Sequence, residues 1–166
     1  MRIVLVVAVL LALAAGAVAG DRLGRQPGRV EAVLDGDTIV VDGVHVRVIG
    51  IDTPEIAHRD SAAACGGDTA AAFVRGALLH QRVRLAIGPE PHDRYGRTLA
   101  SVLPLTGPLA GADLAATLAD RGLARPLPIP PNDANAPDIA RRVRSARAAH
   151  LGLWSACGFE RAFPGK

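Results

Sequence analysis

The stretch Thr38-Ile39-Val40-Val41-Asp42-Gly43-Val44-His45-Val46-Arg47-Val48-Ile49-Gly50-Ile51-Asp52 decides the fold. Two runs rich in β-branched residues flank Asp42-Gly43, the dipeptide favoured by a two-residue type I′ turn because both central positions need positive φ. The reading is a β-hairpin of Ile39–Val41 against Val44–Ile51, with Val44, Val46 and Val48 on one face and His45 and Arg47 on the other. A turn at Asp42-Gly43 puts Thr38 opposite Arg47 and Asp37 opposite Val48. The alternation fails at Ile49-Gly50-Ile51, where the glycine marks a bulge or sharp bend.

On the N-terminal side, Val30, Ala32 and Leu34 alternate as a further strand that Asp35-Gly36 punctuates. On the C-terminal side, residues 52–67 read as a loop. Asp68 is placed to cap a helix over 69–79 whose apolar face is Ala70, Phe73, Val74, Ala77 and Leu78. Residues 82–87 and 97–103 read as strands separated by a charged loop over 89–95. Residues 112–120 read as a short helix with Gly122 as its C-cap. The proline-rich stretch 125–137 reads as irregular. Residues 137–150 form a helix with Ile139, Val143 and Ala146 inward and Arg141, Arg144 and Arg147 outward. Strands with interleaved helices, and no internal repeat, predict one α+β domain built on a small barrel or curled sheet.

The chain has 166 residues, 49% of them hydrophobic but only 3% aromatic, so the core must be built from Val, Leu, Ile and Ala. Part of that apolar content is concentrated at the start. Met1-Arg2 precedes an unbroken apolar run from Ile3 to Ala15, and Ala17-Val18-Ala19 has the small-x-small form of a cleavage site. This run suits a secretory signal better than a membrane span, although an uncleaved anchor fits the same residues. The expected organisation is a signal over 1–19, a lead-in over 20–28, a domain over 29–158 and a tail over 159–166. A secreted or periplasmic location lets the only two cysteines, Cys65 and Cys157, pair. Closing so long a loop is worth about 4–5 kcal/mol in the chain-entropy picture.

The formal net charge is +3, and all basic residues but Lys166 are arginines. Arginine stays charged at working pH and presents a planar fork to phosphate oxygens, although codon bias would give the same composition. Two clusters carry candidate chemistry. Asp35, Asp37, Asp42, Asp52, Glu55 and Asp60 crowd one part of the chain. Asp42 is explained by its turn. Asp37 and Asp52 can share a cation only if the second strand bends near Gly50, and their all-oxygen donors would select a hard ion. Asp35 and Asp37 also read simply as turn aspartates. Asp93-Arg94-Tyr95-Gly96-Arg97 sets two arginines three apart beside a glycine, a candidate phosphate clamp or a polar turn before a strand.

Taken together, these stretches resemble the staphylococcal nuclease (thermonuclease) family. The likeness runs through Val33-Leu34-Asp35-Gly36-Asp37-Thr38, Arg47 to Glu55, Asp93 to Arg97, Gly122-Leu123-Ala124-Arg125 and Leu153-Trp154. The resemblance implies a five-stranded OB-fold β-barrel with about three helices. It implies a Ca²⁺-dependent phosphodiesterase that acts as a monomer, without a stable protein partner, on single-stranded or frayed DNA and RNA. Carried over by residue, Asp37 and Asp52 would bind calcium through carboxylates and Thr53 through its carbonyl, with Asp35 behind them. Glu55 would be the general base or would orient the attacking water. Arg47 and Arg97 would grip the scissile phosphate, Arg97 also assisting the leaving oxygen, while Arg94 and Tyr95 would touch a neighbouring phosphate.

The sequence departs from the family pattern after Gly122-Leu123-Ala124. Aromatic side chains that stack on a base are expected there, and Pro126-Leu127-Pro128-Ile129-Pro130-Pro131 has none. Stacking is worth about 1–3 kcal/mol per base, so weaker binding or altered base preference follows. The loop before the first helix is also thinned, with Arg59 as its only long cation. Two other functions compete: a catalytically inactive nucleic-acid-binding OB-fold module of the cell envelope, and a structural envelope domain. The joint presence of Asp37, Arg47, Asp52, Glu55 and Arg97 argues against the first, and the second predicts no affinity for phosphate.

Overall fold

A computed structural model describes residues 26–57, 62–157 and 159–163. The expected signal, most of the lead-in and Arg59 lie outside the described residues. The elements are β1 (Gly28–Val33), β2 (Thr38–Val41), β3 (Val44–Val48), β4 (Gly50–Asp52), α1 (Gly67–Leu78), β5 (Arg82–His92), β6 (Thr98–Pro104), α2 (Leu114–Asp120), β7 (Arg125–Leu127), α3 (Ala136–Ala148), α4 (Leu153–Ala156) and α5 (Phe159–Ala162). Five strands run in the order β1-β2-β3-β6-β5, and β1 also pairs with β5, so the sheet closes on itself. Among the described residues, only β3 and β6 pair in parallel. The α+β, OB-like architecture is the expected one. Among the described residues, no helix is long and apolar enough to cross a membrane.

The hairpin forms as the sequence dictates. Asp42 and Gly43 both take positive φ, 46° and 78°, and Thr38 pairs with Arg47. Val46 and Val48 enter the core with Val30, Ile39, Leu85 and Val102, while His45 is exposed. The core is aliphatic as composition requires, with Phe163 as its one aromatic among the described side chains.

Several local expectations need correction. Val30 pairs with Val41 and Ala32 with Val40, so Glu31 is an extra residue in β1. This bulge reverses the alternation, burying Val33 and leaving Leu34 37% exposed. Helix α1 starts at Gly67, with left-handed Gly66 as its N-cap and no side-chain cap. Asp68 instead sits in the first turn, where its charge complements the helix dipole. Helix α2 is capped by Asp113, whose carboxylate accepts the Ala116 N–H at 2.9 Å.

Strand β5 runs on through Pro89 and Pro91 to His92, where a loop was expected. Prolines cannot donate to a ladder, but this extension is held by a side chain instead. The Asn132 amide accepts the Glu90 N–H at 3.1 Å and donates to the Glu90 carbonyl at 2.8 Å. Strand β7 likewise falls in the stretch read as irregular. Its Pro126 is tolerated because β4 and β7 form a separate two-stranded sheet. Residues 159–163, read as a tail, bring Ala162 and Phe163 into the core. Cys65 and Cys157 form the expected disulfide, which joins the approach to α1 to the end of α4.

Candidate active site

The site lies where the β2–β3 hairpin meets β4. Asp35 closes the short turn into β2 by accepting the Asp37 N–H at 2.9 Å. Gly36 lets that turn press on Thr53, since a Cβ there would lie 2.8 Å from the Thr53 side chain. Asp37 is thereby set against Thr53, whose N–H (2.7 Å) and hydroxyl (3.1 Å) both donate to its Oδ2. The Thr38 hydroxyl lies 3.3 Å from Asp37 Oδ1.

The bend suspected at Gly50 brings Asp52 to the same place. Gly50 takes φ +86°, and a Cβ would meet the Asn135 side chain at 2.6 Å. Arg47 then spans the two acids. One terminal nitrogen lies 3.1 Å from Asp37 Oδ2 and donates to the Val48 carbonyl at 3.0 Å, while the other donates to Asp52 Oδ1 at 3.3 Å. Asp52 Oδ2 takes Nε and a terminal nitrogen of Arg125, each at 2.9 Å. Asp37, Arg47 and Asp52 are all buried.

Burial pushes the Asp37 carboxyl up to about 7. Arg47 and the Thr53 N–H oppose the rise, while the neighbouring charges of Asp35 and Asp52 add to it. Asp37 and Asp52 are thus held where burial disfavours their charge, with Arg47 and Arg125 as their basic partners. This environment and its all-oxygen donors fit a hard cation and not zinc. Among the described residues, no three His, Cys, Asp or Glu side chains form a metal-holding group. An ion held by Asp37 and Asp52 would therefore complete its shell from backbone, water or substrate.

The opposite wall comes from the β5–β6 turn. Asp93 organises it by accepting the N–H groups of Tyr95 (2.9 Å) and Arg97 (3.0 Å) and the Arg97 Nε (2.7 Å). Modest burial raises the Asp93 pKa, but these bonds from Arg97 and the backbone outweigh it and hold the carboxyl below its usual range. A terminal nitrogen of Arg97 reaches the Thr38 hydroxyl at 3.4 Å, linking this wall to Asp37. Arg94 donates to the Tyr95 hydroxyl at 2.6 Å, and Arg94 and Arg97 both lie over the Tyr95 ring.

One cavity of about 640 Å³ gathers Asp35, Asp37, Arg47, Asp52, Glu55, Arg94, Tyr95 and Arg97. Thr53 is not among its lining residues and is buried against Asp37. Leu127 and Ile129 stand on the wall where aromatic residues were expected, beside Glu90 and His92. Sequence reasoning missed three contributors. Arg125 was quoted only as part of a motif, and nothing local reveals that it meets Asp52, 73 residues away. Thr38 and Asp93 also lacked roles, although an aspartate two residues before Tyr95 and four before Arg97 is a legible turn signal.

Known proteins are similar to this chain over most of its length. Residues 45–156 match the family described as Staphylococcal nuclease homologue. The chain is 39% identical over 129 residues to a thermonuclease of Staphylococcus intermedius, covering 75% of this chain and 74% of that protein. It is 35% identical over 134 residues to a thermonuclease of Staphylococcus hyicus, covering 78% and 76%. Protein ParB of Escherichia coli is 30% identical over 152 residues, covering 87% and 81%.

Proposed function

The chain belongs to the staphylococcal nuclease family, and from that premise we propose that it is a calcium-dependent phosphodiesterase that hydrolyses DNA, RNA or both by in-line attack of water. The observation that carries this reading is the Arg47 bridge between Asp37 and Asp52, on the floor of a cavity whose other wall holds Arg97. A non-catalytic binding module has no need of two buried carboxylates, since a buried ion pair gives a fold little stability that apolar packing would not.

Asp37 and Asp52 would hold the calcium, with the Thr53 carbonyl, and Asp35 would support Asp37 from behind. The ion would supply positive charge at the phosphoryl oxygens where negative charge develops. Arg47 spends only some of its five donors on Asp37, Asp52 and Val48, so others are available to a phosphate oxygen. Its burial between fixed partners means little reorganisation accompanies the reaction. Arg97, oriented by Asp93, would meet the same phosphate and assist the leaving oxygen. Arg94 and Tyr95 would take the next phosphate, and exposed Glu55 would accept a proton from water or orient it. The disulfide supports an oxidising location, secreted or periplasmic.

The deciding experiment incubates purified protein with single-stranded DNA, and separately with RNA, first with calcium and then with chelator. Cleavage that requires calcium is the expected result. Metal-independent cleavage would remove the ion from the mechanism, and retention of nucleic acid without cleavage would favour the binding module.

A further inference from the structure

The C-terminal end of the described chain reaches the candidate site by two independent routes. The first route leads to Glu55. Its carbonyl accepts the Ala64 N–H at 2.9 Å, and Gly67 packs so closely that a Cβ there would lie 2.1 Å from the same oxygen. The corner from Ala64 to Gly67 is closed by the Gly67 N–H donating to the Ala64 carbonyl at 3.0 Å. That corner is stapled to the C-terminal segment twice, by the Cys65–Cys157 disulfide and by the Cys65 N–H donating to the Arg161 carbonyl at 3.0 Å. Arg161 in turn donates its Nε to the Cys157 carbonyl at 2.7 Å.

The second route leads to Asp52. Phe163 is buried, with the Arg125 guanidinium 4.7 Å from its ring centroid. A guanidinium packed over a buried ring is limited by that ring in where it can sit, and so in what its donors reach. Two of those donors reach Asp52 Oδ2 at 2.9 Å. Helices α4 and α5 are four residues each, too short to persist alone. Buried Leu153 and its N–H to the Gly122 carbonyl at 2.9 Å dock α4, while the disulfide and the burial of Ala162 and Phe163 hold the segment beyond it.

We propose that the disulfide-anchored C-terminal segment is a positioning element of the site, fixing Asp52 through Phe163 and Arg125 and fixing Glu55 through the Cys65 corner. The kinetic consequence rests on the nuclease reading; the positioning itself does not. The site is then fully ordered only in the oxidised chain. A dithiol opens it by passing two electrons and two protons to the bridge, which becomes two thiols while the dithiol closes to its own disulfide.

The test uses the full chain in four forms: oxidised, reduced with dithiothreitol, the double variant Cys65→Ser/Cys157→Ser, and Phe163→Leu, which keeps apolar volume but removes the ring face. Amide hydrogen exchange at Thr53 and Ala64 is measured in chelator, and kcat and KM on single-stranded DNA with calcium, well below each melting temperature. Faster exchange at Ala64 is expected in the reduced and double-serine forms, and at Thr53 in Phe163→Leu. In each form kcat should fall about ten- to a hundredfold, as sub-ångström to ångström misplacement of reacting groups allows, with KM within about twofold. Parent-like exchange at both amides, or an unchanged kcat in the reduced and double-serine forms, overturns the proposal. If Phe163→Leu does not fold, those two forms decide. An inactive parent defeats the nuclease reading, while the exchange measurements still decide the positioning.

Discussion

The floor of the cavity and its rim hold their arginines in different ways. Arg47 is buried between Asp37, Asp52 and the Val48 carbonyl, at the meeting of three chain segments. Arg97 and Arg94 stand on a turn, with the Arg97 side chain 29% exposed and Tyr95 68% exposed. Arg97 is oriented mainly by Asp93, four residues away, and Arg94 by the adjoining Tyr95. The floor concentrates charge where water is excluded, which strengthens electrostatics at a cost in stability. The rim is more solvated, so its charges cost less, and they are held by local partners on one turn.

This contrast can be broken or sharpened by experiment. The largest effect is expected at Glu55, which is exposed yet belongs to the proposed chemistry. Glu55→Gln should lower kcat by about 10²–10⁴ with little change in melting temperature, and an undiminished rate would take Glu55 out of the mechanism.

A paired substitution comes next. Arg47→Ala leaves two buried carboxylates short of a partner and should destabilise the fold by about 3–5 kcal/mol, besides lowering activity. Arg97→Ala should lower activity comparably while changing stability by no more than about 1 kcal/mol. Equal stability losses in denaturant titrations would erase the distinction between floor and rim.

A gain is expected on the aliphatic wall. Ile129→Tyr places a ring at an exposed position lining the cavity and should tighten single-strand binding by about 1–3 kcal/mol, read as a lower KM or Kd. No change would mean that bases do not visit this wall.

The smallest effect concerns pH. The folded chain holds the Asp37 proton up to about pH 7, whereas an unfolded aspartate releases it near 3.8. Between those values the folded state binds more protons, so in chelator the stability should decline as pH rises from about 4 to about 7. Asp37→Asn should flatten that part of the melting-temperature profile and raise stability at neutral pH. A parent profile that climbs across this window would contradict the buried state of Asp37.

Much of this contrast was legible before any coordinates, and the reasons are local. The hairpin and its register follow from Asp42-Gly43 and the valine alternation, because type I′ geometry admits few residues. The pairing of Cys65 with Cys157 follows from there being no other cysteine. The bend at Gly50 was visible as a break in alternation, so the approach of Asp37 and Asp52 could be stated as a condition. The bulge at Glu31 was invisible, since an inserted residue among alternating side chains leaves no mark when its neighbours are all plausible strand formers.

The sequence by itself determined the α+β class with an aliphatic core, the β2–β3 hairpin, the turn that carries Arg94 and Arg97, and the acids able to form the floor, because each depends on composition or on residues close together in the chain. Closure of the sheet by β1 against β5 and β3 against β6 was decided by the tertiary structure. Only the tertiary structure decided that Arg125 would clamp Asp52 and that Phe163 would lie beneath it. It alone also showed that Asn132 would stand in for a strand beside Glu90 and that Thr53 would turn its donors to Asp37. Those contacts join segments far apart in the chain, and a pairing of that kind is selected by the packing of the whole barrel rather than by the preferences of either partner.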